Sequence, residues 1–403
     1  MTHKISLHKV SSYREQTTLY IVLIIAFIFW PLLGIAFSVY WALSSNNKER
    51  VWPFMLLLAF YLCAINSTKT PENDMVRYLE MFSEAPKNGL ENTIKFWGTE
   101  NLKEIVYGTF VYYSYFILNG SKGLFIAVVT FLTYFFLFRA IYIIDSKDKR
   151  SNYILVAAVI SVAFFSQYFT LTAHLIRQIL ATSIFLYALA LRINKQGIHW
   201  IWLAVSFSVH NAIGVLIVLS MIPYIKKRVN IFTLLILLGL TILFTIYFTK
   251  IASSLETYVD SYALYRASGA EGASDGLGID VMAAYIIFIP LGIISLINSC
   301  KKEADTPPIF SNLTILLITL VVCLSFSPLL QYRFFFFAYS FIPFIVPYLF
   351  KVGTIYSKLY CIAFSCLFIV RFFYTFEDLT WEYTSIDKII MTPYWDLLQI
   401  EKN

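Results

Sequence analysis

Charge is what this chain lacks most. Asp, Glu, Lys and Arg make up 14% of its 403 residues, against about 25% in a soluble globular chain. With 59% of residues hydrophobic and a mean hydropathy of +0.70, a soluble domain is excluded. Short alternating apolar and polar segments of about 10 residues, the mark of a membrane barrel, are also missing. Continuous apolar runs stand in their place, and in lipid those runs close their backbone hydrogen bonds as helices. Cysteine is sparse: Cys63, Cys300, Cys323, Cys361 and Cys366, with no CxxC pair and no Cys/His cluster. A disulfide framework and a zinc site are therefore not expected. No Walker A loop, GxGxxG, HExxH or GxSxG occurs, which disfavours an ATPase, a Rossmann enzyme, a zinc protease and a serine hydrolase. No internal repeat is visible, and no cleavable signal is expected, because the first apolar run is too long for a signal core.

What remains is an all-α polytopic membrane protein. Apolar runs cover 19–43, 51–66, 105–118, 122–144, 153–169, 177–193, 198–225, 231–248, 280–298, 309–327, 333–350 and 359–376. A span takes about 20 apolar residues, so the expectation is about 11 to 13 membrane helices in a single domain, 1–403. The run 198–225 is either one tilted helix or two short helices meeting near His210. The net charge of +7 reads as basic cytoplasmic loops rather than nucleic-acid binding. Clusters Lys147/Lys149/Arg150, Arg192/Lys195, Lys226/Lys227/Arg228 and Lys301/Lys302 set that side, with Lys48/Arg50. Two long polar loops, 67–104 and 249–279, then share the periplasmic face. This orientation puts the basic N-terminus (Lys4, Lys9, Arg14) outside and makes 105–118 a re-entrant or interfacial helix.

The few charges at membrane depth are functional candidates, because each costs several kcal/mol unless it meets a partner or a wet cavity. Arg177-Gln178 opens an otherwise apolar run. Its guanidinium offers a fixed fork of donors suited to phosphate, and a helix start there would add positive potential. Snorkelling to the headgroups is the plainer reading. His174 lies three residues earlier, on the same face if that turn is helical. His210 could donate to phosphate or carry a proton, or simply pack. Arg333 heads RFFFFAYSFIPFIVPYLF, where Pro328, Pro343 and Pro347 point to broken helices.

Asp74, Arg77 and Tyr78 open the first polar stretch, and Asp74 could serve as a general base. Glu104 sits in a similar position before 105–118. In the second loop, Tyr258, Tyr262 and Tyr265 would share a helical face beside Arg266. They would stack on sugars or form an aromatic belt.

These pieces occur in an order that resembles the EpsG/Wzy-type family of bacterial exopolysaccharide and O-antigen polymerases. NDMVRYLEMF at 73–82 is similar to its D-x-x-x-Y-x-x-x-F segment. EIVYGTFVYY from Glu104 resembles its E-x-G-[FY] segment, with Val106-Tyr107-Gly108 in a different local order. Arg177, Gln178, Leu180 and Ala181 match R-Q-x-[IL]-A, and His210-Asn211-Ala212-Ile213 resembles H-x-[SA]-[AI]. Arg333 begins a late R-x-x-x-[YF] helix.

The resemblance implies a GT-C-like membrane glycosyltransferase of the bacterial inner membrane, working at the periplasmic face without a cofactor or metal. Its substrates would be undecaprenyl-diphosphate-linked oligosaccharides, and a chain-length regulator would be its partner. On this reading Asp74, with Glu104 or His210, carries acid–base chemistry. Arg177, Gln178, Arg333, Arg77, Tyr78, His174, Arg266, Tyr258, Tyr262 and Tyr265 bind diphosphate or sugar. The rival readings are a flippase for lipid-linked sugars and a glycan ligase.

Overall fold

The computed structural model describes residues 17–72, 74–96, 104–145, 152–228, 277–300, 307–324, 328–350 and 354–398, with scattered helical positions within 232–247. Among the described residues there is no strand. In chain order the helices used below are α1 Thr17–Phe29, α2 Pro31–Leu43, α3 Val51–Ser67, α4 Asp74–Ile94, α5 Ile105–Ile117 and α6 Lys122–Asp145. They continue as α7 Asn152–Ala163, α8 Ser166–His174, α9 Ile176–Ile193, α10 His199–Val209 and α11 Gly214–Met221. The last are α12 Leu277–Cys300, α13 Pro308–Cys323, α14 Pro328–Tyr339, α15 Ile342–Ile345, α16 Ile355–Asp378, α17 Ile386–Met391 and α18 Tyr394–Leu397.

Among the described residues, four helices are long and apolar enough to cross a membrane: Lys48–Ser67, α6, α9 and α16. The pair α7 and α8, bent by 54°, makes a fifth if counted as one broken span. Eight further apolar helices have 10–17 residues, shorter than the roughly 20 that a straight crossing takes.

The chain divides into two compact units, one of residues 1–212 with 361–403, the other of 213–360. In the first, α3, α6 and α9 pack together with α10 on α9. Their facing sides are apolar throughout, but polar groups fix the register. Asn66 Nδ2 donates to Thr130 Oγ1 (3.1 Å) and Thr172 Oγ1 (2.6 Å), tying α3 to α6 and α8. Between buried helices such side-chain bonds lock one arrangement among many apolar ones. In the second unit, α12, α13 and α14 pack on one another. Asn312 there donates to the carbonyls of Ile225 and Lys227 and accepts from Ser299.

Three expectations change or sharpen. The polar stretch 67–104 is not a loop: residues 74–94 form α4. Met75, Tyr78, Leu79 and Phe82 are buried at i, i+3, i+4 and i+7, a one-sided apolar stripe that a search for continuous apolar runs passes over. The run 198–225 is two short helices. His210 follows α10 with extended backbone (φ −155°, ψ 117°), then a 3₁₀ turn leads into α11. The late prolines do break the helix, giving α14, α15 and a 3₁₀ turn, Val346–Tyr348. Residues 249–276 lie outside the described residues, and 277–279 already belong to α12.

Candidate functional site

Chain breaks in the first unit each deliver one polar side chain to a common place. α8 ends at His174, Leu175 is non-helical (φ −117°, ψ 50°), and α9 restarts at Ile176. Arg177 is thus the second residue of a helix, where unpaired backbone N–H groups concentrate positive potential. The stop after α10 frees His210, whose amide still bonds to Ser206 O (3.1 Å), to turn its ring outward. Glu104 precedes the first residue of α5.

α4 and α5 approach closely because residue 108 is glycine: a Cβ there would lie 2.7 Å from Ile94 Cα. α4 itself bends at Gly89, whose positive φ of 71° suits a residue without a Cβ.

The result is one cluster. The Glu104 carboxylate accepts from Arg177 Nη1 through one oxygen and lies 2.8 Å from His210 Nδ1 through the other. The three side chains are 12–19% exposed. The Arg177 guanidinium lies 5.4 Å from the Tyr78 ring and 6.0 Å from the Tyr107 ring, favourable cation–π positions. Tyr78 and Tyr107 meet edge to face at 6.1 Å, and both are buried. Arg177 also bonds the Tyr78 hydroxyl, while the Tyr107 hydroxyl is buried with no hydrogen-bond partner. Burial pushes the Glu104 carboxyl up, but the His210 hydrogen bond and the Arg177 charge outweigh it. The group is held below the ordinary carboxylate value.

A second cluster adjoins the first. Lys69 and Glu382 form a buried ion pair, with Lys69 Nζ 4.7 Å above the Tyr383 ring. His174 Nε2 is 3.9 Å from Glu382 Oε2. Asp74 opens α4, one turn before Tyr78, and α4 packs on α8, which ends at His174.

Arg177, Glu104, His210 and Tyr78 therefore come together, with Asp74 and His174 at their edge. The break at Leu175 removes the shared face expected of His174 and Arg177, because the helix does not run through them; His174 turns to Glu382 instead. Gln178 is buried beside Arg177 in α9, whereas Arg77 is exposed on α4. Arg333 is half-buried on α14 in the second unit. Tyr258, Tyr262, Tyr265 and Arg266 lie outside the described residues.

Tyr107, Lys69, Glu382 and Asn66 were not singled out from the sequence. Tyr107 carried a signal, its place beside Gly108 after Glu104. Nothing local marks Lys69 and Glu382 as a pair 313 residues apart.

Beside Glu104, the outer face of α5 forms an apolar groove of about 480 Å³, lined by Ile105, Val106, Phe110, Tyr113, Ile117 and Val128 among others.

No curated protein and no solved structure matches the chain. A family profile does, across residues 51–385, a stretch that begins with α3 and includes Glu104, Arg177, His210, Arg333 and Glu382. This helical membrane protein belongs to the EpsG family.

Proposed function

We propose that the protein is a membrane glycosyltransferase that polymerises undecaprenyl-diphosphate-linked oligosaccharide repeat units for O-antigen or exopolysaccharide. The growing glycan on its lipid carrier is the donor, and a sugar hydroxyl of a new lipid-linked unit is the acceptor. The anomeric carbon–oxygen bond to the diphosphate breaks, a glycosidic bond forms, and undecaprenyl diphosphate leaves with the bonding electron pair.

The observation that carries this reading is the Arg177–Glu104–His210 cluster, with the Arg177 guanidinium beside the Tyr78 and Tyr107 rings. Negative charge grows on the departing diphosphate, and preorganised donors aimed at such charge lower the barrier. Arg177, at a helix start, and His210 are those donors. Glu104 holds both in place. Its two oxygens are already engaged and its carboxyl is held below the ordinary value, so it is a poor base. Asp74, first residue of α4, takes the acceptor's proton, and the tyrosine rings bear on the sugar. The apolar α5 groove starts at the residue after Glu104, so a hydrocarbon chain lying there would bring its phosphates to the cluster. The reaction belongs to the periplasmic face of the inner membrane, with a chain-length regulator as partner.

The test is complementation of a deletion in the host at matched expression, read as surface glycan on a gel. Deletion is expected to leave single-repeat glycan. Wild type restores the ladder, and Arg177→Ala, His210→Ala and Asp74→Ala do not; Arg333→Ala is tested alongside. A deletion that removes every surface repeat and traps lipid-linked units inside would identify a flippase and sink the polymerase reading.

A further inference from the structure

The C-terminal segment after α16 does more than end the first unit. It returns to the polar end of α3 and is fastened there through residues 382 to 384. Thr70 N donates to Glu382 O at 2.7 Å, and Thr384 N donates to Thr68 Oγ1 at 3.3 Å. Tyr383 donates to Asn66 Oδ1 at 3.1 Å, the asparagine that already ties α3 to α6 and α8. The Glu382 carboxylate pairs with Lys69, whose side chain is wholly buried, and approaches His174. On its other side the His174 ring bonds the backbone of Glu72. Residues 68, 70 and 72 are thus each held directly or through one side chain by this arrangement, and two residues later α4 begins at Asp74.

A buried ion pair is a poor source of stability. Replacing both partners with neutral groups is often harmless, whereas removing one leaves an uncompensated charge. Here the pair and His174 brace the short segment that presents Asp74. We propose that Glu382 is a positioning residue for Asp74: with Lys69 and His174 it fixes residues 68–72, and the bond from Met75 N to Glu72 O (3.0 Å) carries that placement to the start of α4, so that the Asp74 carboxylate meets the acceptor hydroxyl. The inference rests on the polymerase reading, in which Asp74 is the base. It makes a C-terminal residue, about 300 positions away in sequence, part of the same site.

The experiment uses the full chain in proteoliposomes with lipid-linked repeat units, measuring kcat and KM for the acceptor and thermal stability in detergent. The central variant is Lys69→Met/Glu382→Gln, which removes both charges together. A misplacement of about 1 Å in a reacting group can cost on the order of 10²-fold in rate. The expected result is a melting point near wild type, an unchanged KM and a kcat reduced on that order. A double variant as active as wild type overturns the inference, because a merely structural pair is replaceable. Should that variant fail to fold, Glu382→Asp serves. It keeps the charge and withdraws the carboxylate by one methylene, and it is expected to fold with kcat lowered and KM kept; full kcat overturns the inference. A wild-type protein that makes no polymer overturns the polymerase reading and this inference with it, a result distinct from active wild type with an active double variant.

Discussion

The Arg177–Glu104 pair and the Lys48–Asp145 pair lie in the same unit, and both join a nearly buried carboxylate to a cation. Their surroundings differ. Asp145 ends α6 with no exposure and meets Lys48 from the 3₁₀ turn ahead of α3. Beside them the Asn152 amide reaches the carbonyls of Ala42 (2.7 Å), Ser45 (2.7 Å) and Asn47 (3.0 Å), closing the α2–α3 turn onto α7. Around this pair the neighbouring Asn152 donors go to backbone acceptors. At Glu104 one carboxylate faces Arg177 and His210, and the Arg177 guanidinium lies beside the Tyr78 and Tyr107 rings. The first pair fixes a corner of the fold. The second lies in a partly open place, and on the proposed reading its donors turn to the diphosphate when it arrives.

The largest expected effect tests that difference directly. Arg177→Lys keeps the charge but loses the planar fork, and Lys does not replace a bidentate Arg. Polymerisation in proteoliposomes is expected to fall by about 10²–10³-fold, the cost of losing one preorganised donor to developing charge. The charge-free pair Arg177→Gln/Glu104→Gln should stay inactive even where it melts like wild type. Recovery of activity in that double variant would reduce the cluster to a second structural pair.

Next comes stability at the closed corner. Lys48→Met takes a cationic partner from the buried Asp145 carboxylate, with an expected loss of up to about 3–5 kcal/mol, read by thermal or denaturant unfolding in detergent. Lys48→Met/Asp145→Leu should recover most of it and polymerise at near wild-type rate. If the double variant folds and yet makes no polymer, the corner is more than structural and the contrast fails.

The same two places show what could be read before the fold was known. Arg177 and His210 stand out because a polar group in an apolar run is conspicuous, whereas Asp74, Tyr78 and Glu104 stand in the polar stretch 67–104 and are marked by the resemblance of their segments to the family's. The convergence of Glu104 with Arg177 and His210, 73 and 106 residues away, is a tertiary fact without a local signature. Lys69, just past the end of an apolar helix, has no local mark of the partner that the C-terminal segment brings to it in Glu382. α4 was hidden because its apolar residues fall on one side only. The division of 198–225 stayed open because neither glycine nor proline marks the stop at His210; the chain breaks there with extended backbone, and the ring it frees becomes a partner of Glu104.

The smallest effect is a dependence on pH. Glu104 has its carboxyl held below the ordinary value in the folded protein, so folding favours its ionised form. Such a group contributes stability that is fully present above its unfolded pKa, about 4.3 for Glu, and lost as pH falls through the lower folded value. Wild type should therefore melt a few degrees above Glu104→Gln at pH 7, and the two curves should converge as the pH drops below about 4. Asp145→Asn provides the internal comparison, since it removes the carboxylate of the closed pair without touching the cluster. If the Glu104→Gln difference persists undiminished into acid, Glu104 acts there by its shape rather than its charge. The cluster would then be no more electrostatic than the Asn152 contacts with Ala42, Ser45 and Asn47, and the assignment of Glu104 as the anchor for Arg177 and His210 would have to be given up.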